Sequence, residues 1–551
     1  MEIKVYANSD DAQIVWKIAA PIDDCRGFAI YRRRHGETDY GILKNRVGFK
    51  GEKGDKNGEQ PSTVWPFQRF MWTDYKARSG DVISYKVVPM VGGKGKLEPK
   101  MEEASPWTDE ITVSPSGAGG IAAYFNRGIV ASQWLSRVLS RDGSVVPQKK
   151  LSTIIDDPAD RTRKFLAGQI RIAILKLLDD VKKSQDRIYA ALFELNDPEL
   201  TSALGDLGHR ANVILANGAH KSGKDENESA RKELGRAKVN VFDRLAPSTH
   251  LAHNKFVVVC NSNDAPQYVL TGSTNWTKTG LCTQANNAII VKNSELAGYY
   301  KAQWDALKDA GNAFTKQLKV DNAQRSASLQ WAQRSLKVWF TPLNQMQDLE
   351  EARQLIHQTR RGLLFLMFNP GPTSESLLSA ITDLQQNSNV IVKGVVNQDP
   401  STAKNPVQIF RTKDVLRGSF QVALPAAIEK HVSYWIPELK KLQGAWAMVH
   451  SKVIVIDPFG NESVVMTGSH NMGPAASKNN DDNLLIIKND PELAAAYAVN
   501  IISIFSNYRW RYNRLYNKQA RAFTDLKDDA KWQDGHLRGD DLKELDFWLG
   551  K

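Results

Sequence analysis

HNKFVVVC (253–260) is repeated further along the chain as HSKVIVID (450–457). Two more pairs follow at the same spacing to within one residue: TGSTN (271–275) with TGSHN (467–471), and NNAIIVKN (286–293) with DNLLIIKN (482–489). Three stretches repeated at one spacing indicate a repeated structural unit rather than isolated motifs. The sequence therefore predicts a duplicated unit whose two copies divide near residue 330.

Each copy alternates between helical and strand-like segments. Residues 158–183 have the periodicity of an amphipathic helix, and IYAALFEL (188–195) is an apolar run of strand length, as in a sheet buried on both faces. The alternation continues to about residue 517 and is typical of α/β folds. We expect two α/β lobes related by a pseudo-twofold axis, over residues 121–330 and 331–551, the second ending in a C-terminal tail.

Residues 1–115 predict an all-β domain, because short alternating runs are separated by turns that carry glycine and proline, the pattern of a small sandwich. Trp16 on an early strand, Phe28–Tyr31 on the next and Tyr85 late in the domain give this region a resemblance to fibronectin type III domains. The resemblance implies a spacer or an interaction module, which leaves a protein partner open. The small residues 116–120 predict a linker.

The composition limits what the protein can be. Of its 551 residues, 42% are hydrophobic and 24% are charged, which is ordinary for a globular protein and excludes disorder as the dominant state. The longest apolar runs, such as LLFLMF (363–368), are far shorter than the roughly 20 residues that span a bilayer, so we expect no transmembrane segment. A formal net charge of +12 favours an anionic partner: nucleic acid, a lipid surface or a phosphate substrate.

Cysteine usage and the N-terminal residues bear on the compartment. Cys25, Cys260 and Cys282 are odd in number and lack metal-ligand spacing, so they predict neither a disulfide framework nor a cysteine metal site. Free thiols fit a reducing compartment. The opening stretch MEIKVYANSDD lacks the basic and apolar segments of a secretory signal. The expected location is the cytoplasm, with export that needs no N-terminal signal left open.

Each copy brings together groups that suit a phosphate. His253 and Lys255 are two residues apart in a strand-like segment, so their side chains are expected on one face of the sheet. Gly272 allows a close backbone approach, and Ser273 and Asn275 add hydrogen-bonding groups at a strand end. The second copy repeats the set with His450, Lys452, Ser469 and Asn471. Two lobes would place the two imidazoles on opposite sides of one phosphate, with the ammonium and amide groups around its oxygens.

Two copies of H-x-K followed by G-S-x-N give the chain, over about residues 120–517, a resemblance to the phospholipase D superfamily. The resemblance implies a two-step phosphoryl transfer. One histidine attacks phosphorus to form a phosphohistidine, and the other protonates the leaving oxygen and then activates water. The lysines and asparagines would neutralise the equatorial oxygens. The resemblance implies no metal and no cofactor, in keeping with a sequence that has no cluster of His, Asp, Glu or Cys at metal-ligand spacing.

The copies differ at the position that follows the histidine–lysine strand. Cys260 stands where the second copy has Asp457, and in a regular strand both side chains face away from the histidines. We therefore expect Asp457 to stabilise its lobe. Cys260 is expected to be a small buried residue rather than a nucleophile.

The copies also differ at Asn286, where the second copy has Asp482 and where many members of the superfamily have an acidic residue that contacts a catalytic histidine. A carboxylate raises the pKa of an imidazole more than an amide does. If each side chain contacts the histidine of its own copy, His450 is biased towards the acid and His253 towards the nucleophile. Contacts between the copies would reverse this. In some branches with a similar asymmetry, the N-terminal histidine is the nucleophile.

Three functions fit these observations. A phosphodiesterase acting on nucleic acid is slightly favoured by the basic balance and the missing secretory signal. A phospholipase D, which hydrolyses or transfers phosphatidyl groups, would use the same chemistry. A binding or scaffold protein with a decayed site is disfavoured, because both histidines, both lysines and both asparagines are present. We expect a phosphoric diester hydrolase, for which an apolar rim would favour lipid and a basic channel nucleic acid.

Overall fold

The computed structural model describes residues 1–115, 119–128, 146–219, 224–371, 373–384, 389–396, 420–423, 448–516 and 525–551. Of the predicted linker, only Gly119 and Gly120 belong to these residues, and 116–118 lie outside them. Within the described ranges, no helix is both long enough and apolar enough to cross a membrane.

The region before residue 116 is rich in β-structure, as predicted. A sheet in the order β1–β2–β7 and a sheet in the order β10–β8–β3–β4, with β9 paired to β8, enclose the fully buried side chains of Trp16, Phe28 and Tyr85. The identity of this region as a fibronectin type III domain stays a prediction. Its strands are β1 Glu2–Ala7, β2 Ala12–Lys17, β3 Cys25–Arg34, β4 Gly41–Ile42, β5 Lys44–Asn45, β6 Gln60–Pro61, β7 Met71–Asp74, β8 Val82–Val91, β9 Glu98–Pro99 and β10 Ile111–Thr112.

The first α/β half is a mixed sheet of seven strands in the order β11–β18–β16–β15–β12–β13–β14. Strand β15 reads KFVVVC and all its residues are buried, because helices and neighbouring elements cover both faces of the sheet. The predicted amphipathic helix is α2, which is interrupted at Gly168. The elements are β11 Ile121–Phe125, α1 Val146–Asp156, α2 Arg161–Ser184, β12 Arg187–Leu192, α3 Pro198–Gly205, β13 Ala211–Ala216, α4 Glu228–Arg236, β14 Asn240–Arg244, β15 Lys255–Cys260, β16 Pro266–Gly272, α5 Lys278–Cys282, β17 Gln284–Ala285, β18 Asn287–Val291, α6 Ser294–Ala310 and α7 Lys316–Arg325.

The second α/β half is an eight-stranded sheet in the order β19–β20–β27–β26–β25–β21–β22–β23. Apart from β19, its strands follow each other as in the first sheet. The pseudo-twofold axis and the domain boundaries stay predictions; β19 spans the boundary expected between residues 330 and 331. The elements are β19 Ala327–Trp331, β20 Arg334–Phe340, α8 Gln347–His357, β21 Gly362–Met367, α9 Leu377–Asp383, β22 Ile391–Val396, β23 Phe420–Ala423, β24 Met448–Val449, β25 Val453–Ile456, β26 Val464–Gly468, α10 Pro474–Asn479, β27 Asn483–Lys488 and α11 Pro491–Tyr516.

The C-terminal tail carries two short helices, α12 Trp532–His536 and α13 Gly539–Trp548, and returns to the N-terminal region. The indole N–H of Trp532 donates to the carbonyl of Cys25 at 2.9 Å, and the hydroxyl of Tyr6 donates to the carbonyl of Trp548 at 2.7 Å. One continuous apolar core includes side chains of the N-terminal region, both halves and the tail. The N-terminal region is therefore docked on the α/β halves.

Candidate active site

Both histidine–lysine pairs lie at the start of a central strand. Lys255 opens β15 with His253 just before it, and Lys452 directly precedes β25 with His450 before it. All four side chains are buried. His253 and Lys255 both contact the ring of Phe193, which agrees with the expectation that they share one face of the sheet.

Each histidine contacts the opposite half of the duplication. Nδ1 of His253 lies 2.8 Å from Oδ1 of Asp482, and Nδ1 of His450 lies 2.9 Å from Oδ1 of Asn286. Of the two alternatives that the sequence left open, the contacts are therefore those between the copies. In both contacts the carboxylate or amide oxygen accepts from Nδ1–H, which leaves Nε2 as the unprotonated nitrogen of the neutral ring.

The crossed contacts arise because each half inserts backbone next to the other. Strand β17 of the first half pairs in parallel with β24 of the second, and the amide of His450 donates to the carbonyl of Ala285 at 3.0 Å. On the other side, the amide of Asp481 donates to the carbonyl of Leu251 at 2.8 Å. Asn286 follows Ala285 and Asp482 follows Asp481, so each lies next to the histidine of the opposite half.

The serines of the glycine–serine pairs contact one partner residue, Asn286, and the neighbour of the other, Asn483. The hydroxyl of Ser273 donates to Oδ1 of Asn286 at 2.7 Å, and that of Ser469 accepts from the amide of Asn483 at 3.1 Å. Gly272 has φ +144°, and a Cβ there would lie 2.5 Å from the carbonyl oxygen of Asn287. The close backbone approach expected at Gly272 is present. Both serines are fully buried and support the site from behind.

The two asparagines differ in burial. Asn275 is buried, and its amide Nδ2 donates to Oε2 of Glu194 at 2.6 Å, whereas Asn471 is half-buried. A carboxylate beside an amide that is expected to contact a phosphate was not predicted from the sequence. Glu194 follows β12, at the end of the apolar run that predicted this strand.

Sequence reasoning also missed two phenylalanines. The ring centroid of Phe193 lies 4.6 Å from that of His253 and 4.7 Å from Nζ of Lys255. Phe368 makes the same contacts in the second half, at 4.6 Å from His450 and 4.8 Å from Nζ of Lys452. Both follow the apolar strands β12 and β21, so aligning these two runs would have shown the matched positions.

Asp457 lies at the far end of β25 from His450, and Cys260 at the far end of β15 from His253. The carboxylate of Asp457 accepts the backbone amides of Arg360, Arg361 and Gly362 at 2.8 to 3.0 Å. Burial raises the pKa of the Cys260 thiol to about 12. This placement supports the expected roles, a carboxylate that stabilises its lobe and a small buried thiol.

Comparisons with known proteins identify the family. The family described as "Cardiolipin synthase, PLD-like domain" matches residues 177–308 and 352–505, one stretch in each half and together more than half of the chain. The chain belongs to the phospholipase D superfamily. A protein named Phospholipase D from Rickettsia conorii is 30% identical over 164 residues, which are 29% of this chain and 70% of that protein. Its namesake from Rickettsia prowazekii is 27% identical over 173 residues, 31% of this chain and 73% of that protein.

Solved structures give weaker likenesses. The phosphatidylserine synthase of Haemophilus influenzae Rd KW20 has a TM-score of 0.42 and 13% identity, over 65% of this chain and 90% of that chain. A mutant of yeast tyrosyl-DNA phosphodiesterase has a TM-score of 0.32 and 12% identity, over 57% of this chain and 86% of that chain. These scores are too low to support any inference about activity.

Burial dominates the protonation of the superfamily motif residues. It lowers the pKa of His253 to about 4, an effect that Lys255 reinforces and Asp482 opposes. Burial and the nearby lysines hold the pKa of His450 well below its ordinary value. The pKa of Lys255 falls to about 7, again by burial, and that of Lys452 is also well below its ordinary value. Both imidazoles are therefore neutral near pH 7, with Nε2 unprotonated, and Nε2 of His450 accepts from Nζ of Lys452 at 3.1 Å.

The site is built from nitrogen donors rather than from a metal-ligand set. Among the residues that the structure describes, no group of three or more His, Cys, Asp or Glu side chains is arranged to hold a metal ion. The imidazole, ammonium and amide groups described above are instead suited to the oxygens and the phosphorus of a phosphate.

Proposed function

We propose that the chain is a phosphodiesterase that works through a phosphohistidine and needs no metal ion. The observation that carries the proposal is the crossed pair of histidines, each buried beside a lysine and each held by the opposite half. Two neutral imidazoles, each with an unprotonated Nε2, supply a nucleophile and a proton carrier, and two lysines supply the positive charge that a phosphodiester requires.

We assign the nucleophile to His253. When Nε2 of His253 bonds to phosphorus, the ring gains positive charge, and Asp482 balances that charge through the Nδ1–H bond of 2.8 Å. A neutral amide at His450 offers no such balance, so His450 is better suited to give its proton away. Asp482 raises the pKa of His253, and this effect alone would favour His253 as the acid. Burial makes both rings neutral, however, so we base the assignment on the balance of charge during the reaction.

The reaction then runs in two steps. Nε2 of His253 forms a bond to phosphorus as the bond from phosphorus to the leaving oxygen breaks. His450, which takes up a proton at Nε2 when the anionic diester binds, gives that proton to the leaving oxygen. Neutral His450 next takes a proton from water, whose oxygen attacks phosphorus and releases His253. The product is a phosphomonoester, and both histidines return to their starting state.

The side chains beside the site favour a phosphatidyl lipid over nucleic acid as the substrate. Phe193, which contacts His253, belongs to an apolar cluster that includes the partly exposed Leu251 and Phe314. The net charge of +12 is a total for the whole chain and points to no particular surface, whereas this cluster lies against a proposed catalytic group. The name Phospholipase D of the Rickettsia relatives points the same way. Nucleic acid is the second candidate. For either activity we favour the cytoplasm, because Cys25, Cys260 and Cys282 are free thiols.

The test combines three substrates with one trapping experiment. The protein, with excess chelator, is incubated with phosphatidylcholine vesicles, single-stranded DNA and RNA, and His253→Ala serves as the inactive control. Choline release that vanishes in the control supports a phospholipase D, and cleavage of DNA or RNA with the same dependence supports a nuclease. A phosphohistidine trapped in His450→Asn supports His253 as the nucleophile, whereas trapping only in His253→Asn would reverse the assignment.

A further inference from the structure

The two lysines of the site are buried without an ion pair. Lys255 is 2% exposed and Lys452 is fully buried, and among the described residues neither has a carboxylate within salt-bridge distance. Their Nζ atoms instead donate to the carbonyls of His253 and His450, each at 2.6 Å, and Nζ of Lys452 also lies 3.1 Å from Nε2 of His450. A buried ammonium that lacks a counter-charge loses its proton readily, because burial disfavours the charged form. Something nearby must keep these groups charged if they are to bind an anion.

Two carboxylates stand close enough to act on both lysines. Asp482 is already engaged by His253, at 2.8 Å. The other is Glu194, which accepts from Nδ2 of Asn275 at 2.6 Å and directly follows Phe193, the ring that underlies Lys255. In the second half, Phe368 underlies Lys452 in the same way but is followed by Asn369. The duplicated site therefore has one such carboxylate for two lysines.

We propose that Glu194 is a positioning residue for the phosphate: its carboxylate orients Asn275 and is the counter-charge that keeps Lys255 and Lys452 protonated before substrate binds. The inference rests on the proposed function, because it assumes that these lysines bind the phosphate of a diester. An anionic substrate would then meet two charged lysines and an amide already turned towards it.

The electrostatic surroundings support this role. The negative charges of Asp482 and Glu194 raise the pKa of Lys255 and of Lys452, against burial, which lowers both. Lys255 also lowers the pKa of Lys452. Glu194 itself faces Lys255, Lys452 and the carboxylate of Glu226, and burial raises its pKa. The two histidines add no charge near pH 7, because burial keeps them neutral.

The experiment measures binding of sulfate, an anion that does not titrate in the range used, by calorimetry from about pH 6 to about pH 9. Wild-type affinity is expected to fall as the lysines lose their protons. In Glu194→Gln the midpoint of that fall should move to lower pH by about one unit, with affinity below the midpoint at least as tight as in the wild type. Glu194→Asp should restore the wild-type midpoint, and Asn369→Asp should move it to higher pH.

Asn275→Ala separates the two parts of the role, because it removes the hydrogen bond and keeps the carboxylate. It should weaken sulfate binding at every pH without moving the midpoint. An unchanged midpoint in folded Glu194→Gln, an equal shift in Asn275→Ala, or a wild type that binds no sulfate would each overturn the proposal. None of these measurements needs turnover, so a protein that follows the expected pattern but cleaves no diester would contradict the proposed function alone.

Discussion

At the scale of single residues, the two histidines are distinguished by the atom that Nδ1 meets. Both rings are buried beside a lysine and a phenylalanine, yet one contacts a carboxylate and the other an amide. The contact with His253 also lowers the pKa of Asp482 to about 2, although burial alone would raise it. Asp482 is therefore ionised throughout the working range, ready to balance charge that develops on His253.

Exchanging these partners should change two different properties of the reaction. Asp482→Asn removes the balancing charge and is expected to lower kcat by about 10- to 100-fold. Asn286→Asp places a carboxylate on His450, raises its pKa, and extends the protonated acid to higher pH, so the alkaline limb of the kcat/KM profile should move up by about one unit. The measurement is a pH–rate profile for each variant.

Thermal unfolding is the control for both variants, because Nδ2 of Asn286 donates to the carbonyl of Gly280 at 2.8 Å and an aspartate would put two oxygens together there. The comparison uses variants that stay folded at the assay temperature. If Asp482→Asn moved the alkaline limb and Asn286→Asp only lowered kcat, the roles of the histidines would be exchanged.

Asp457 offers a test of stability separate from chemistry. Its carboxylate is the acceptor for three consecutive backbone amides at the start of β21, at 2.8 to 3.0 Å. Asp457→Ala leaves these amides without that acceptor and should lower the free energy of unfolding by about 1 to 3 kcal/mol. Urea unfolding checks this, with Cys260→Ala as the matched substitution in the first half. A loss of kcat in folded Asp457→Ala would mean that the residue acts on the site as well.

At the scale of elements, the repeated motifs predicted which residues form the site but not which half of the chain each contact comes from. Side chains alternate along a strand, so the spacing of two residues predicted His253 and Lys255 on one face. The repeat predicted a second pair in the second half. The sequence could not tell which half supplies Asp482 and Asn286, because that depends on how the loops cross. It also did not reveal Glu194. The proposed role of Glu194 depends on Lys255, which is 61 positions away in the sequence and comes close only in the folded chain.

A buried ion pair links the two halves. Arg244, at the end of β14, contacts Asp481 with Nε at 2.8 Å, and both side chains are 1% exposed. Asp481 directly precedes the residue that holds His253, so the pair also fixes the position of Asp482. Arg244 donates further to the carbonyls of Gly311 and Ala313. Its charge is thus satisfied by both halves at once.

Breaking this pair should be costly. Arg244→Met leaves the carboxylate of Asp481 buried without its partner and should lower the free energy of unfolding by about 3 to 5 kcal/mol, whereas Arg244→Met combined with Asp481→Leu should recover most of the loss. Urea unfolding of both variants measures the difference. The control is Lys182→Ala, which breaks the exposed pair with Asp206 and should cost less than about 1 kcal/mol. Equal losses in the single and double variants would contradict this account.

At the scale of the whole molecule, the N-terminal region is fixed from two directions. The tail covers it through Trp532 and Trp548, and Asp10 pairs with Arg127 of the first half at 2.8 Å. From the sequence, the region was expected to be a spacer or an interaction module, and the tail was expected only as the end of the second half. The contact between the N-terminal region and the tail joins residues from opposite ends of the sequence. Local sequence patterns carry no information about such distant pairs.

This docked surface should make the stability of the protein depend on pH. Asp11 lies in the turn between β1 and β2, next to Asp10, and burial together with the charge of Asp10 raises its pKa to about 7. A carboxyl whose pKa is raised in the folded state contributes stability that is complete below its unfolded pKa. That stability is lost as the pH rises through about 7.

The side chain in Asp11→Asn cannot ionise, so this variant should keep its stability over the same pH range. Between about pH 5 and about pH 8, we expect the wild type to lose about 2 kcal/mol relative to Asp11→Asn. Urea unfolding at both pH values measures the difference, and Asp23→Asn, an exposed carboxylate of the same region, is the matched control. A gap between wild type and Asp11→Asn that stays constant with pH would show that Asp11 remains ionised in the folded protein and that the docked surface does not bury its charge.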